Sequence, residues 1–440
     1  MTIELCGIDQ LYPPVTIEVL PSAVLVEIFS FYVDRRPSTL SSNEDTWHTL
    51  VHVCRQRRFV VSNEDTWHTL VQVCRQWRFV VFGSPRRLNL RLLCTPKRSL
   101  KMLDIWPALP IVIDLCSKGK RPRGMANIVA ALKQHCRVHA ICILRIPNSL
   151  MKKFAAMKKP FPELTYMKLY SADGNVQILP DSFLGGSAPR LHTLDLCGIP
   201  FPAVGKLLLS TRNLVTLCLG SIPHSGYISP EAMVTCLSTL TGLKSFNLGF
   251  QSPRSRVVSG TRRLPPLMHI NLTALIKFTF KGNSEYLEDI VSFINAPLLD
   301  HFEITFFNQL IIDTPLLRHF ISRTEIIKAH YRAQVEFHKD LAEVKFSPPR
   351  EATVHKGLFL RISCTPSDWQ LSSIAQVCSS FSPPLYTSEH LSILSYPEHW
   401  KDDIESTQWM ELLSPFTSVK NLVLYDGPLV GPILQELAGE

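Results

Sequence analysis

The sequence has no run of about 18 consecutive apolar residues, so a membrane-spanning helix is not expected. Its first ten residues, MTIELCGIDQ, have no basic segment ahead of an apolar one, so no secretory leader is expected either. The chain is therefore expected to stay inside the cell, in the cytoplasm, the nucleus or both. None of the twelve cysteines falls in a C-x-x-C pair, which suits reduced, mostly buried thiols and not a disulfide framework. G-x-S-x-G, H-E-x-x-H, G-x-G-x-x-G and the phosphate loop are all missing, and Gly185-Gly186-Ser187 lacks the next glycine of a nucleophile elbow. The expectation is a protein that is not an enzyme and has no catalytic residues and no cofactor.

With 440 residues, 45% apolar and 19% charged, the chain can form one large domain or two to three ordinary ones. Its net charge of +9 raises the question of nucleic acid. Much of that charge lies in connecting segments, as in SKGKRPRG (117–124) and SPRSRVVSGTRR (252–263). Basic residues there read as solvated loops, and the outward strand positions farther along carry no basic stripe interleaved with aromatics. No nucleic-acid partner is expected.

What the chain does contain is a duplication. SNEDTWHTLVHVCRQRRFVV (42–61) runs directly into SNEDTWHTLVQVCRQWRFVV (62–81), with two differences. As a helix the second copy aligns Trp67, Leu70, Val71, Cys74, Trp77 and Val81 in one apolar stripe, opened by an S-x-x-D cap at Ser62 and Asp65. In the first copy Arg57 stands where Trp77 stands, and it interrupts the stripe. Two units are too few for a solenoid, so the pair reads as one helix copied once. Upstream, LPSAVLVEIFSFYV (20–33) forms a second amphipathic helix with Pro21 in its first turn and Val24, Leu25, Ile28, Phe29 and Tyr32 on one face.

Leu20-Pro21, the L-x-x-I-F of Leu25 to Phe29, and L-x-x-V-C-R-x-W-R ending at Arg78 together resemble an F-box, the short helical module of ubiquitin-ligase substrate receptors. SPRRLNLRL, WPALPIVI, LPDSFLGGSAPRL, HSGYISPEA and LGFQSPRSR further resemble the large F-box and leucine-rich-repeat families of mushroom-forming fungi. The resemblance implies docking on a Skp adaptor, and through it on a cullin-RING ligase. It assigns that contact to Leu20, Pro21, Leu25, Ile28, Val73, Cys74 and Trp77, with the second copy as the working one.

Farther along, an L-x-x-L-x-L phrase starts at Leu164, Leu191, Leu214, Leu243, Leu275, Leu299 and, with valine first, Val419. Its first, fourth and sixth residues should point inward. Helix signals lie between the phrases, at SPEAMVTCLSTL from Ser229 and SEYLEDIVSFI from Ser284. Strand then helix, repeated, predicts a parallel β/α horseshoe of irregular leucine-rich repeats. The phrase fades from 325 to 390, although TPSDWQLSSIAQVCSS keeps a helix signal. The last strand is followed by one helix and no polar capping unit, which suggests a truncated or abrupt end. The fold class expected is α/β: an N-terminal tail (1–15), an all-α F-box-like module (16–84), a linking segment and cap (85–136), and an irregular leucine-rich-repeat domain (137–440).

The outward strand positions, among them Tyr166, Lys168, Asp195, Asn247, Lys277, His301 and Glu303, form the expected target-binding face. His135, Cys136, His139 and Cys142 have ligand-like spacing, but a strand there would send their side chains to opposite faces, so no metal is expected. Two functions follow. The first is a substrate receptor that holds an unknown target protein near a ligase. The second is a non-enzymatic repeat scaffold whose N-terminal helices only cap the array.

Overall fold

A strand phrase in which every second residue is Leu or Phe hides one face and leaves the other to polar residues. The computed structural model of the chain follows this rule. It describes residues 20–34, 75–83, 91–95, 109–115, 125–171, 177–253, 269–309, 312, 314–324, 326, 332–348, 356–364, 367–380, 388–395 and 406–425. In LHTLDL, Leu191, Leu194 and Leu196 are buried while Thr193 and Asp195 are only half-buried, and the phrases from Leu164 to Leu299 repeat the pattern at their inward positions. Each such side chain contributes about 1.5–3 kcal/mol relative to an exposed one.

The architecture is mixed α/β, with a large, mostly parallel sheet of fourteen strands and, among the described residues, ten α-helices. The first seven strands are β1 (Leu92–Cys94), β2 (Ile111–Leu115), β3 (Val138–Ile143), β4 (Tyr166–Tyr170), β5 (Thr193–Cys197), β6 (Thr216–Ile222) and β7 (Ser245–Phe250). They join side by side in chain order, all parallel. After β8 (Ile270–Asn271) come β9 (Lys277–Gly282), β10 (Ile294–Asn295) and β11 (His301–Phe307). Strands β9 and β11 continue the main sheet, whereas β8 and β10 pair separately. The segment 85–136, expected to link and cap, thus already supplies β1 and β2.

The wholly parallel order expected of the C-terminal part is corrected past β11. Strands β12 (Arg332–Phe337), β13 (Ala342–Ser347), β14 (Gly357–Ser363), β15 (His390–Ser395) and β16 (Asn421–Leu424) follow in the chain, but in space β11 is succeeded by β14, then β13, β12, β15 and β16. Strand β13 runs antiparallel to both its neighbours. The tight connection between β12 and β13 explains this: it is too short for the crossover that two parallel strands need. Gly357, at φ +132°, makes the juncture possible, because a Cβ there would fall 2.0 Å from the Phe346 carbonyl oxygen.

Helices pack on the face that carries the Leu and Phe rows. Phe320 of the helix Pro315–Ser322 lies edge-on to Phe302, centroids 5.8 Å apart, and Trp409 of the helix Ser406–Leu413 meets Phe337 at 6.1 Å. The Ser229 signal is realised as an N-cap: its hydroxyl accepts the Ala232 N–H at 3.2 Å, with Pro230 in the first turn of Pro230–Leu237. The helix signalled from Ser284 spans Ser284–Val291, and TPSDWQLSSIAQVCSS forms Ser367–Ser380.

Candidate functional site

Two parts of the molecule hold the residues singled out by sequence. The first is a helical pair. Ser22–Asp34 starts directly after Pro21, whose carbonyl accepts the Leu25 N–H at 3.1 Å. It packs on Arg75–Gly83, with the rings of Phe29 and Trp77 at 4.7 Å. That contact sets the rotation of the first helix: Leu25, Val26 and Phe29 turn inward, and Val24, expected on the same face, stays 42% exposed. Trp77 is 1% exposed and lies inside with Val80 and Val81, whereas Phe79 on the outer side is 79% exposed.

Of the residues implied as adaptor contacts, Leu25 and Trp77 are therefore internal, Leu20 and Ile28 are half-buried against the core, and Pro21 is exposed. Val73, Cys74, the first copy and the capping box of the second lie outside the described residues, as do most of the basic segments. Val24, placed by sequence on the inner face, and Phe79 were not among the implied adaptor contacts, and their apolar character on a helix surface was the available signal.

The second part is the sheet face opposite the helices. The register places Tyr166, Thr193, Thr216, Ser245, Lys277 and His301 in one transverse row. The next row runs Lys168, Asp195, Cys218, Asn247, Thr279 and Glu303. All seven expected target-binding residues thus share one face in two adjacent rows. They differ in availability: Lys277 is exposed, and His301 is buried with its ring 5.1 Å from that of Phe359. Lys168 Nζ contacts Asp195 Oδ2 at 2.7 Å, and this hydrogen bond holds the lysine above its ordinary pKa. Burial pushes the neighbouring Cys218 thiol up to about 12.

Sequence reasoning missed the continuation of this face. Arg361 binds Glu303 and donates from Nε to Glu343 Oε1 at 2.9 Å. Lys345 Nζ lies 2.5 Å from Glu336 Oε1 and 3.5 Å from Glu343 Oε2. Gln334 and His338 also contact the Glu336 carboxylate, at 2.8 and 3.1 Å. Carboxylates and cations thus alternate across β11, β14, β13 and β12. The His301 imidazole first, and the Arg361 guanidinium after it, hold the Glu303 carboxyl below the usual glutamate range against an opposing effect of burial. The signal was the alternation in RAQVEF and AEVKFS, whose charged residues fall on one parity.

Within this network Glu336, His338 and Glu343 bring three ligand atoms within 4.8 Å of one another, a donor set a transition metal could use. The Lys345 ammonium already provides positive charge between the two carboxylates, and Arg361 occupies the far side of Glu343. The arrangement is that of an ion-pair lattice. In the HCRVHAIC segment, His135 contacts the Pro160 carbonyl at 3.0 Å and His139 contacts Thr165 Oγ1 at 3.2 Å. A register shift opposite Ile111 and Val112 places His139 at a bulge, and no three of His135, Cys136, His139 and Cys142 converge.

No protein-family model matches the chain, and no curated protein is detectably similar to it.

Proposed function

We propose that the chain is a non-catalytic substrate receptor of an SCF-type ubiquitin ligase, with a Skp adaptor on the outer side of the helical pair and a target protein on the polar face of the sheet. One observation carries this reading. The two motif helices satisfy their inner stripe against each other through Phe29 and Trp77, yet keep Pro21, Val24 and Phe79 exposed. Apolar side chains left exposed on a helix pair whose inner stripe is already satisfied suit a partner better than solvent. The strands that add in chain order, with inward Leu and Phe at the phrase positions, support an irregular leucine-rich-repeat array interrupted by the β12–β13 hairpin.

A second reading has its own observation. Leu25, Phe29 and Trp77 belong to an apolar cluster continuous with the sheet core, as a simple cap would require. Co-purification with a Skp adaptor separates the two. The intact chain and a deletion of 42–61 should both retain the adaptor, whereas Val24→Asp with Phe79→Asp should lose it while keeping the same circular dichroism. Failure of the folded, intact chain to retain any adaptor would leave the capping scaffold as the function.

A further inference from the structure

The helix Ser367–Ser380 buries Leu371, Ile374, Val377 and Cys378, but its other side is not the charged surface usual for a solvated helix. Trp369, Ser372, Ser373, Gln376 and Ser379 recur there at spacings of three and four, and all five line a hollow of about 640 Å³. Asn308, beyond the end of β11, and Glu411 and Ser414, at the end of the helix Ser406–Leu413, line it as well. Its size is that of a small-ligand site, about 300–1,000 Å³.

Trp369 is 50% exposed at this hollow. An indole left half in water among serines is not accounted for by packing. Asn308, Ser373, Gln376 and Glu411 make no side-chain hydrogen bond with any described residue, so their polar groups are available. Ser372 and Ser414 donate to carbonyls of their own helical turns, which leaves their oxygens as acceptors. Gln309 is committed elsewhere: its Oε1 accepts the Ser284 N–H, and its Nε2 donates to Glu285.

The lining chooses among ligand classes. Among the described residues it contains no cation, and their one charge is a carboxylate, which disfavours phosphates and acids. Apart from Trp369 and Ala375 the described lining residues offer no apolar wall, which disfavours lipids. Hydroxyls and carboxamides both donate and accept, as sugar hydroxyls do. A carboxylate can accept from two adjacent hydroxyls, and the negative face of an indole attracts the C–H face of a pyranose ring.

We propose that this hollow is a saccharide-binding site, which takes a neutral mono- or disaccharide stacked on Trp369 and hydrogen-bonded by Asn308, Ser373, Gln376 and Glu411. The site lies apart from the helical pair, so it stands or falls independently of adaptor docking.

The test uses the full chain with glucose, N-acetylglucosamine, maltose and chitobiose, followed by saturation-transfer NMR and titration calorimetry. At least one sugar should bind saturably with a dissociation constant on the order of 1 mM or tighter, with transfer strongest to the C–H protons of one ring face. Trp369→Ala should weaken that binding at least about tenfold, and Glu411→Gln less, with the melting midpoint of both variants unchanged. Saturable binding by none of the four sugars, or full affinity in Trp369→Ala, would overturn the assignment. So would a neutral Ser/Asn-rich peptide that binds through Trp369 when no sugar does.

Discussion

The carboxylate of Glu288 accepts the backbone N–H of Leu317 at 2.6 Å, and that of Leu316 at 2.9 Å. A side chain from one helix thereby caps the next, because the first N–H groups of Pro315–Ser322 have no partner within their own helix. Glu288→Ala should destabilise this helix by about 1–3 kcal/mol, since it orphans the buried Leu317 donor and the part-buried Leu316 donor. Glu288→Gln should cost less. Amide hydrogen exchange at Leu316 and Leu317 reads the loss locally, and unchanged protection in the alanine variant would refute the capping role.

Trp77 and Phe79 are two residues apart and should behave oppositely. Trp77→Ala removes a ring fully enclosed beside Phe29 and should cost about 3–5 kcal/mol. Phe79→Ala removes a side chain that is mostly in solvent and should leave the denaturation midpoint nearly unchanged. Equal midpoints for the two variants would contradict the helical pairing.

Gly357→Ala should be among the most damaging single-methyl additions. The new Cβ would strike the Phe346 carbonyl, at a φ that side chains rarely adopt. Gly242→Ala, where nothing lies within 4 Å, serves as the matched control. Soluble yield and circular dichroism should fall only for the first.

How far the sequence leads differs along the chain. From Leu164 to Ile304 the leucine phrase states the strand, its inward parity and its spacing, so both rows of the polar face were legible before any coordinates. The β12–β13 hairpin was not, because RAQVEF and AEVKFS hold too few leucines to match the phrase, and strand direction is set by the length of a connection. The rotation of Ser22–Asp34 was also hidden: Val24 and Val26 are equivalent as apolar residues, and only the docking of Phe29 on Trp77 decides which one turns inward. The ion pairs of Arg361 join strands far apart in sequence, so no local spacing announces them.

Thiol reactivity gives another check. Burial pushes Cys378 and Cys218 up to about 12 and Cys94 up to about 11, so little thiolate forms near neutral pH. Cys136 is exposed. Brief iodoacetamide treatment of the native protein followed by peptide mapping should find Cys136 alkylated and these three protected. Early labelling of Cys378 would contradict its burial.

Acid should weaken the C-terminal sheet through Glu303. Its carboxyl is held below the ordinary value of 4.5 in the folded protein, so the carboxylate form favours folding. That contribution is complete above the unfolded value and is lost as pH falls through the folded one. Denaturant midpoints of the native chain and Glu303→Gln should therefore differ at about pH 6 and converge below about pH 4. A gap that widened in acid would reverse the sign.

The turned-back hairpin also bears on how the molecule assembles. Up to β11 each strand can be laid down as soon as it follows its predecessor, with only a short stretch of chain to close. Strand β14 must then find β11 across the whole intervening hairpin, and β15 must wait for β12 to present its free edge. The far end of the sheet should thus assemble as a block, at a rate governed by the closure of that longer loop.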